Sequence, residues 1–180
     1  MKFASTDTAV LKSPRWLVPG WLGRDHLTLL IGDGSAGKST LASDLAVAIA
    51  SGGAWLGVPT NSGRVMYLDE DGPEPDLINR ILAFRAGRDL LKSTLDGDLL
   101  IHPACGFSLE SDEDVKRLGV AGAGLDLIIW DALVAFHSQD ENSADRMRHV
   151  MRSRLRPLMR TTGAARSEER RVGKECRYRW

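Results

Sequence analysis

The chain has 180 residues, of which 43% are hydrophobic and 27% charged, and its 24 Lys/Arg are balanced by 24 Asp/Glu. That is enough for one globular domain with a real core, and the balance excludes a low-hydrophobicity disordered chain. No apolar run is long enough to span a bilayer, Lys2 is followed by no secretory h-region, and Cys105 and Cys176 make neither a disulfide framework nor a metal-ligand spacing. The expectation is a cytoplasmic protein with no membrane partner.

Residues 1–24 form a lead-in containing Trp16, Pro19, Gly20, Trp21 and Gly23. Its tryptophans either lie beside a bound ligand or, more commonly for such residues, cover a sheet edge or the end of a core. From 25 to 165 short apolar runs alternate with helical patterns. This predicts an α/β fold, a mainly parallel sheet flanked by helices.

The first strand is His26–Ile31, read as a buried parallel strand. It runs into Gly32-Asp33-Gly34-Ser35-Ala36-Gly37-Lys38-Ser39-Thr40, which fits G-x-x-x-x-G-K-[ST], the phosphate-binding loop. Each residue type has a physical role. The glycines let successive N–H groups turn inward on a phosphate. Lys38 supplies positive charge to β- and γ-phosphates, and Ser39 offers a hydroxyl to Mg²⁺, a hard cation that prefers oxygen. Leu41, Leu45, Val47, Ala48 and Ile49 continue as a helix until Gly52-Gly53, and its positive N-terminal end faces the same anion. Strand, loop and helix come in the order that nucleotide binding by such a loop requires.

A second strand, Val65–Leu68, ends in Asp69-Glu70-Asp71. Pro73–Arg85 reads as a helix with Leu77, Ile78, Ile81, Leu82 and Phe84 toward the core. Leu99–His102 is a short third strand. Glu110–Leu118 is a polar helix capped by Ser111 or Asp112. A fourth strand, Leu125–Trp130, ends in Asp131: apolar residues then an acid, the Walker B pattern, whose carboxylate holds Mg²⁺ beside the phosphate loop. Hydrolysis further needs a group that orients or deprotonates water. Glu70 and Asp71 are the candidates, against the alternative of a solvated acidic turn before a helix. His26, His102, His137 and His149 share no metal or triad spacing. The last helix, Ser143–Thr161, places Met147, Val150, Met151, Leu155 and Leu158 on one face, and Pro157 should kink or restart it.

Arg166–Trp180 has no hydrophobic period and fits no element of this scheme. It closely resembles the translation of a common sequencing adapter, departing from it at Tyr178. The alternative is a genuine basic tail for nucleic acid. Six of its residues are Lys/Arg and three Asp/Glu, so the rest of the chain carries a net −3. The expectation is a non-native segment 166–180 and a native frame cut near Ala165.

Together these residues resemble the RecA-like ATPases of the RepA and DnaB helicase kind, AAA-type ATPases of plasmids and phages. The resemblance runs from Trp16-Leu17-Val18-Pro19-Gly20 through Gly32–Thr40, Gly63–Asp71, Asp126–Phe136 and Asp140-Glu141-Asn142 to Thr162-Gly163-Ala164. It implies a RecA-like P-loop fold, incomplete at the C-terminus where a further central strand would follow. It implies ATP and Mg²⁺ as cofactors, DNA as partner of the intact protein, and a ring-shaped homo-oligomer with an arginine supplied in trans. It also places the family's catalytic glutamate at Asp71, beside Glu70; an Asp there is shorter than the family's Glu.

Overall fold

The computed structural model describes residues 15–24, 26–140, 143–162 and 165–171. The elements in chain order are β1 (Trp16–Val18), β2 (Leu22–Gly23), β3 (Leu27–Gly32), α1 (Lys38–Ser51), β4 (Ala54–Trp55), β5 (Val58–Pro59), β6 (Val65–Asp69), α2 (Glu74–Ala86), β7 (Leu99–Pro103), α3 (Asp112–Ala121), β8 (Leu127–Asp131), α4 (Ala144–Val150), α5 (Arg156–Thr162) and β9 (Ala165–Arg171). Five of these strands make one sheet in the order β3-β9-β8-β6-β7. All its pairings are parallel, with Val65 opposite both Leu99 and Leu127, and Asp69 opposite Asp131. Carboxyl ends of parallel strands fall on one edge, so Gly32, Asp69 and Asp131 share that edge.

Helices cover both faces, and the strand pleat divides the core accordingly. Val65 and Tyr67 of β6 and Leu127 and Ile129 of β8 pack with α1 and α2. Met66, Leu68, Ile128 and Trp130, one residue out of phase, pack with α3, α4 and α5. Burial on both faces is why these strands read as unbroken apolar runs. In α1 the residues Leu45 to Ala50 are all buried, because the helix sits under the sheet with α2 and the β4–β5 hairpin against it. It stops at Gly52, whose φ of 68° is the left-handed conformation that glycine accepts without a Cβ clash.

The strand and helix expectations hold at most places. Ser111 is the cap of α3, its side chain accepting the Asp114 N–H. Pro157 restarts the last helix: a π-helical turn over Met151–Leu155 closes with the Arg156 N–H donating to the Met151 carbonyl, and α5 begins with Pro157 in its first turn. A proline there withholds an N–H that a helix start does not use. The β1–β2 hairpin buries Leu17, Val18 and Leu22 in the first core cluster, while Trp21, 62% exposed, meets Trp55 edge-to-face.

Three expectations are corrected. Leu82 is 41% exposed, since it lies off the Leu77–Ile81 stripe that α2 buries. β3 is only half-buried, because it is the end strand and pairs on one side alone. Ala165–Arg171 does enter the fold, as a parallel strand between β3 and β8. Ladder bonds are made by backbone N–H and C=O groups, so a segment without hydrophobic period still completes a sheet. Residues 172–180 lie outside the described residues, as do Gly163 and Ala164 of the resemblance.

Candidate functional site

The phosphate loop leaves the end strand β3 and curls into α1. Gly37, with φ of 82°, sits at the helix N-cap in a conformation open to glycine, and Ser35 also has a positive φ of 62°. Asp33 to Gly37 are exposed, whereas Lys38 is 7% exposed. Lys38 Nζ donates to the Asp33 carbonyl at 3.0 Å, so its ammonium is folded back over the loop it closes.

Ser39, second residue of α1, donates its hydroxyl to Asp131 Oδ1 at 3.2 Å, across 92 positions of sequence. Asp131 ends β8 and is 3% exposed. Its second oxygen accepts the Tyr67 hydroxyl at 2.5 Å. Burial, and after it the neighbouring Asp131 charge, push the Tyr67 phenol well above its ordinary range, so it stays a donor. A hydroxyl and a carboxylate held together beside a buried lysine are the hard-oxygen set that suits Mg²⁺, which takes one or two protein oxygens and completes its shell with phosphate and water. Among the described residues no group of three or more His, Cys, Asp or Glu could hold a metal by itself.

The expected water-activating residues divide. Glu70 donates its N–H to the Asp131 carbonyl at 3.0 Å, toward the phosphate-loop side. Its side chain goes the other way. Oε1 accepts the Cys105 thiol at 2.9 Å and the Gly106 N–H at 2.6 Å, both in the turn that follows β7. In the strand order β7 lies on the far side of β6 from β3 and β8. Burial and the Glu70 carboxylate raise the Cys105 thiol to about 12, so it is a thiol and a donor at neutral pH. Asp71 is exposed, and its N–H donates to Asp69 Oδ1.

Asp69 was not among the expected site residues. It is 2% exposed, accepts the N–H groups of Asp71 and Gly72 at 3.1 Å each, and pairs with Arg80 of α2 at 3.2 Å. Burial, then the Asp131 charge, raise its carboxyl above the usual range. The signal was in the sequence: Val65–Asp69 and Leu127–Asp131 are both four-residue apolar runs ending in Asp. Tyr67 carried no such signal, because a tyrosine in an apolar strand reads as core. Cys105 and Arg80 became site residues only through tertiary contact. His102 is exposed on β7, and Asp140 lies beside Glu141 and Asn142, which fall outside the described residues.

A parallel sheet with helices on both faces, a glycine loop opening a helix after the end strand, and an acid at another strand end on the same edge define a P-loop NTPase domain. Residues 2–174 match the family model described as AAA domain, and the chain belongs to that family. It is therefore a nucleotide-binding domain of the ATPase class. No helix among the described residues is long and apolar enough to cross a membrane.

Proposed function

We propose that this domain binds ATP with Mg²⁺ and hydrolyses it, as the engine of a RepA/DnaB-like motor that works on DNA as a ring of identical subunits. The observation that carries the reading is the Ser39–Asp131 contact at 3.2 Å next to Lys38, which joins phosphate loop and acidic strand into one site. In this reading Gly32, Asp33, Gly34, Ser35, Ala36, Gly37 and Thr40 surround the phosphates with backbone N–H groups and the N-terminal end of α1. Lys38 moves from the Asp33 carbonyl to the β- and γ-phosphates. Ser39 and Asp131 hold Mg²⁺, which neutralises charge on the phosphate oxygens. Tyr67 keeps Asp131 oriented. Glu70 or Asp71 accepts a proton from the attacking water.

Phosphate release from MgATP by the full chain, with and without single-stranded DNA, tests this. Asp131→Asn should lower Mg²⁺-dependent turnover on the order of 10²-fold, the usual loss for a preorganised electrostatic contact, while ATP still binds without the metal. Undiminished turnover would remove Asp131 from the site.

A second reading is a nucleotide switch or DNA-associated regulator that binds ATP and turns it over little. The Glu70 side chain favours it, being tied to Cys105 and Gly106, as does the short Asp71 at the family's glutamate position. ATP-dependent assembly without phosphate release would select the switch; DNA-stimulated release would select the motor.

A further inference from the structure

The last helical stretch presents an arginine face that the site does not use. Between Asp145 and Thr162 the chain carries Arg146, Arg148, Arg152, Arg154, Arg156 and Arg160 against the single acid Asp145. The helices bury Met147, Val150, Leu155 and Leu158 against the sheet and α3. Arg146, Arg148, Arg152, Arg156 and Arg160 are exposed on the outside. Two of the six arginines are spoken for: Arg148 pairs with Asp145 at 2.9 Å, and Arg154 pairs with Asp112 of α3. Arg146, Arg152, Arg156 and Arg160 make no ion pair among the described residues. Neighbouring α3 exposes Lys116 but carries Asp112, Glu113 and Asp114 in its first turn and pairs Arg117 with Asp114, so the basic face is confined to the last helical stretch.

Arg152, Arg156 and Arg160 recur every four residues, a step of about 6 Å along a helix axis. Like charges at that spacing repel and weaken a helix, so the pattern is one that local stability disfavours. It is useful where an extended polyanion supplies the missing charge. Guanidinium groups are the better match for this, since their planar forks fit phosphate oxygens in pairs. The stretch 144–162 contains no Phe, Tyr, Trp, Asn or Gln. Apart from His149 it thus lacks the flat rings that stack on bases, and it lacks the amides that pair with adenine edges.

We infer that the outer face of α4 and α5, with the π-helical turn between them, is a DNA-binding surface that grips the phosphate backbone without reading sequence. The inference rests on the DNA-acting reading above for its choice of polyanion, and its test is separate from that of ATP turnover.

The test is fluorescence anisotropy of a labelled single-stranded oligodeoxynucleotide with the full chain over a salt series. The R152Q/R156Q/R160Q variant should bind at least about tenfold more weakly at low salt. Its slope of log K against log salt should shrink by about 2, given roughly 0.7 per phosphate contact on a single strand. A scrambled oligonucleotide should bind equally well. Arg117→Gln, on α3 and already paired with Asp114 at 3.2 Å, should change little. The triple variant should melt no lower than the parent, because it removes repulsion, and should keep its affinity for ATP. Absence of DNA binding by the parent, or an unchanged salt slope in the triple variant, would overturn the inference. So would a variant whose weaker binding follows a change in sedimentation mass, which would make the face a subunit contact. Loss of DNA binding with intact ATP affinity supports the surface whichever way the turnover measurement falls.

Discussion

The loop after β3 and the acidic exits of β6 and β8 meet at the same edge of the sheet, yet they are built in opposite ways. The loop is contiguous. Gly32 to Thr40 supply its turn, its cation and its hydroxyl from nine neighbouring residues, and Ser39 then reaches Asp131 and Tyr67 across the fold. The acidic exits are a mosaic. Asp69 and Asp131 come from two strands, Arg80 from a helix, Tyr67 from inside the sheet, and Cys105 and Gly106 from the turn after β7. A contiguous site tolerates change elsewhere in the fold, because its geometry is local. A mosaic site depends on register and packing across the sheet, and its groups shift one another's charge states.

Breaking the contiguous half should have the largest effect. Lys38→Ala removes its cation, and kcat/KM for MgATP should fall on the order of 10²–10³-fold. Equilibrium titration with a fluorescent ATP analogue should show the matching loss of affinity. An unchanged affinity would mean that the loop is not the nucleotide site.

The mosaic half can be probed chemically at Cys105. A thiol raised to about 12 is almost wholly protonated at pH 8. Even after allowance for the greater nucleophilicity of a high-pKa thiolate, its alkylation by iodoacetamide should run about 10²-fold slower than that of free cysteine. Glu70→Ala removes a cause of the shift, so peptide mapping should find Cys105 labelled faster in that variant. Equal rates would mean that the thiol is not held by Glu70. If that contact restrains the carboxylate, Cys105→Ala should also raise ATP turnover with KM unchanged.

A smaller effect is expected at Tyr67, which links the two halves through Asp131. Tyr67→Phe should cost about 1.5–3 kcal/mol in urea unfolding, the range for a hydrogen bond to a charged acceptor, here one between buried groups. A cost near zero would show that the phenol merely fills space.

The smallest effect belongs to the surface pair of Asp112 and Arg154. The hydrogen bond and charge of Arg154 hold the Asp112 carboxyl below its ordinary 3.8. A lowered folded value means that the stabilisation is present above 3.8 and is lost as pH falls through the folded value. Asp112→Asn should therefore slightly flatten the acid limb of the pH–stability curve and leave the neutral region nearly unaltered. A change centred near neutrality would point to another group.

The arginine face shows a limit of reading by net charge. Counted over the chain, or over the chain without residues 166–180, the charge is zero or mildly acidic, and it gives no hint of a basic surface. Helical projection collects Arg146, Arg148, Arg152, Arg156 and Arg160 on one side, because the buried residues claim the other, where Arg154 reaches Asp112 of α3. The same periodicity that located the core face of this helix also defined its outer face.

Taken by itself, the amino-acid sequence determined the features that depend on neighbours along the chain. These are the phosphate loop and its helix, the apolar runs of β6 and β8, the stop at Gly52 and the restart at Pro157. Turn geometry, side-chain periodicity and proline chemistry act over a few residues, so they are legible without a fold. Tertiary structure decided the strand order. With it came the half-exposed position of β3, the entry of Ala165–Arg171 between β3 and β8, and the pairing of Ser39 with Asp131. It also decided that Glu70 faces Cys105 and that Asp69 is a buried acid. Strand order is set by contacts between residues far apart in the chain, and the direction of a carboxylate at a strand end is set by which strands flank it.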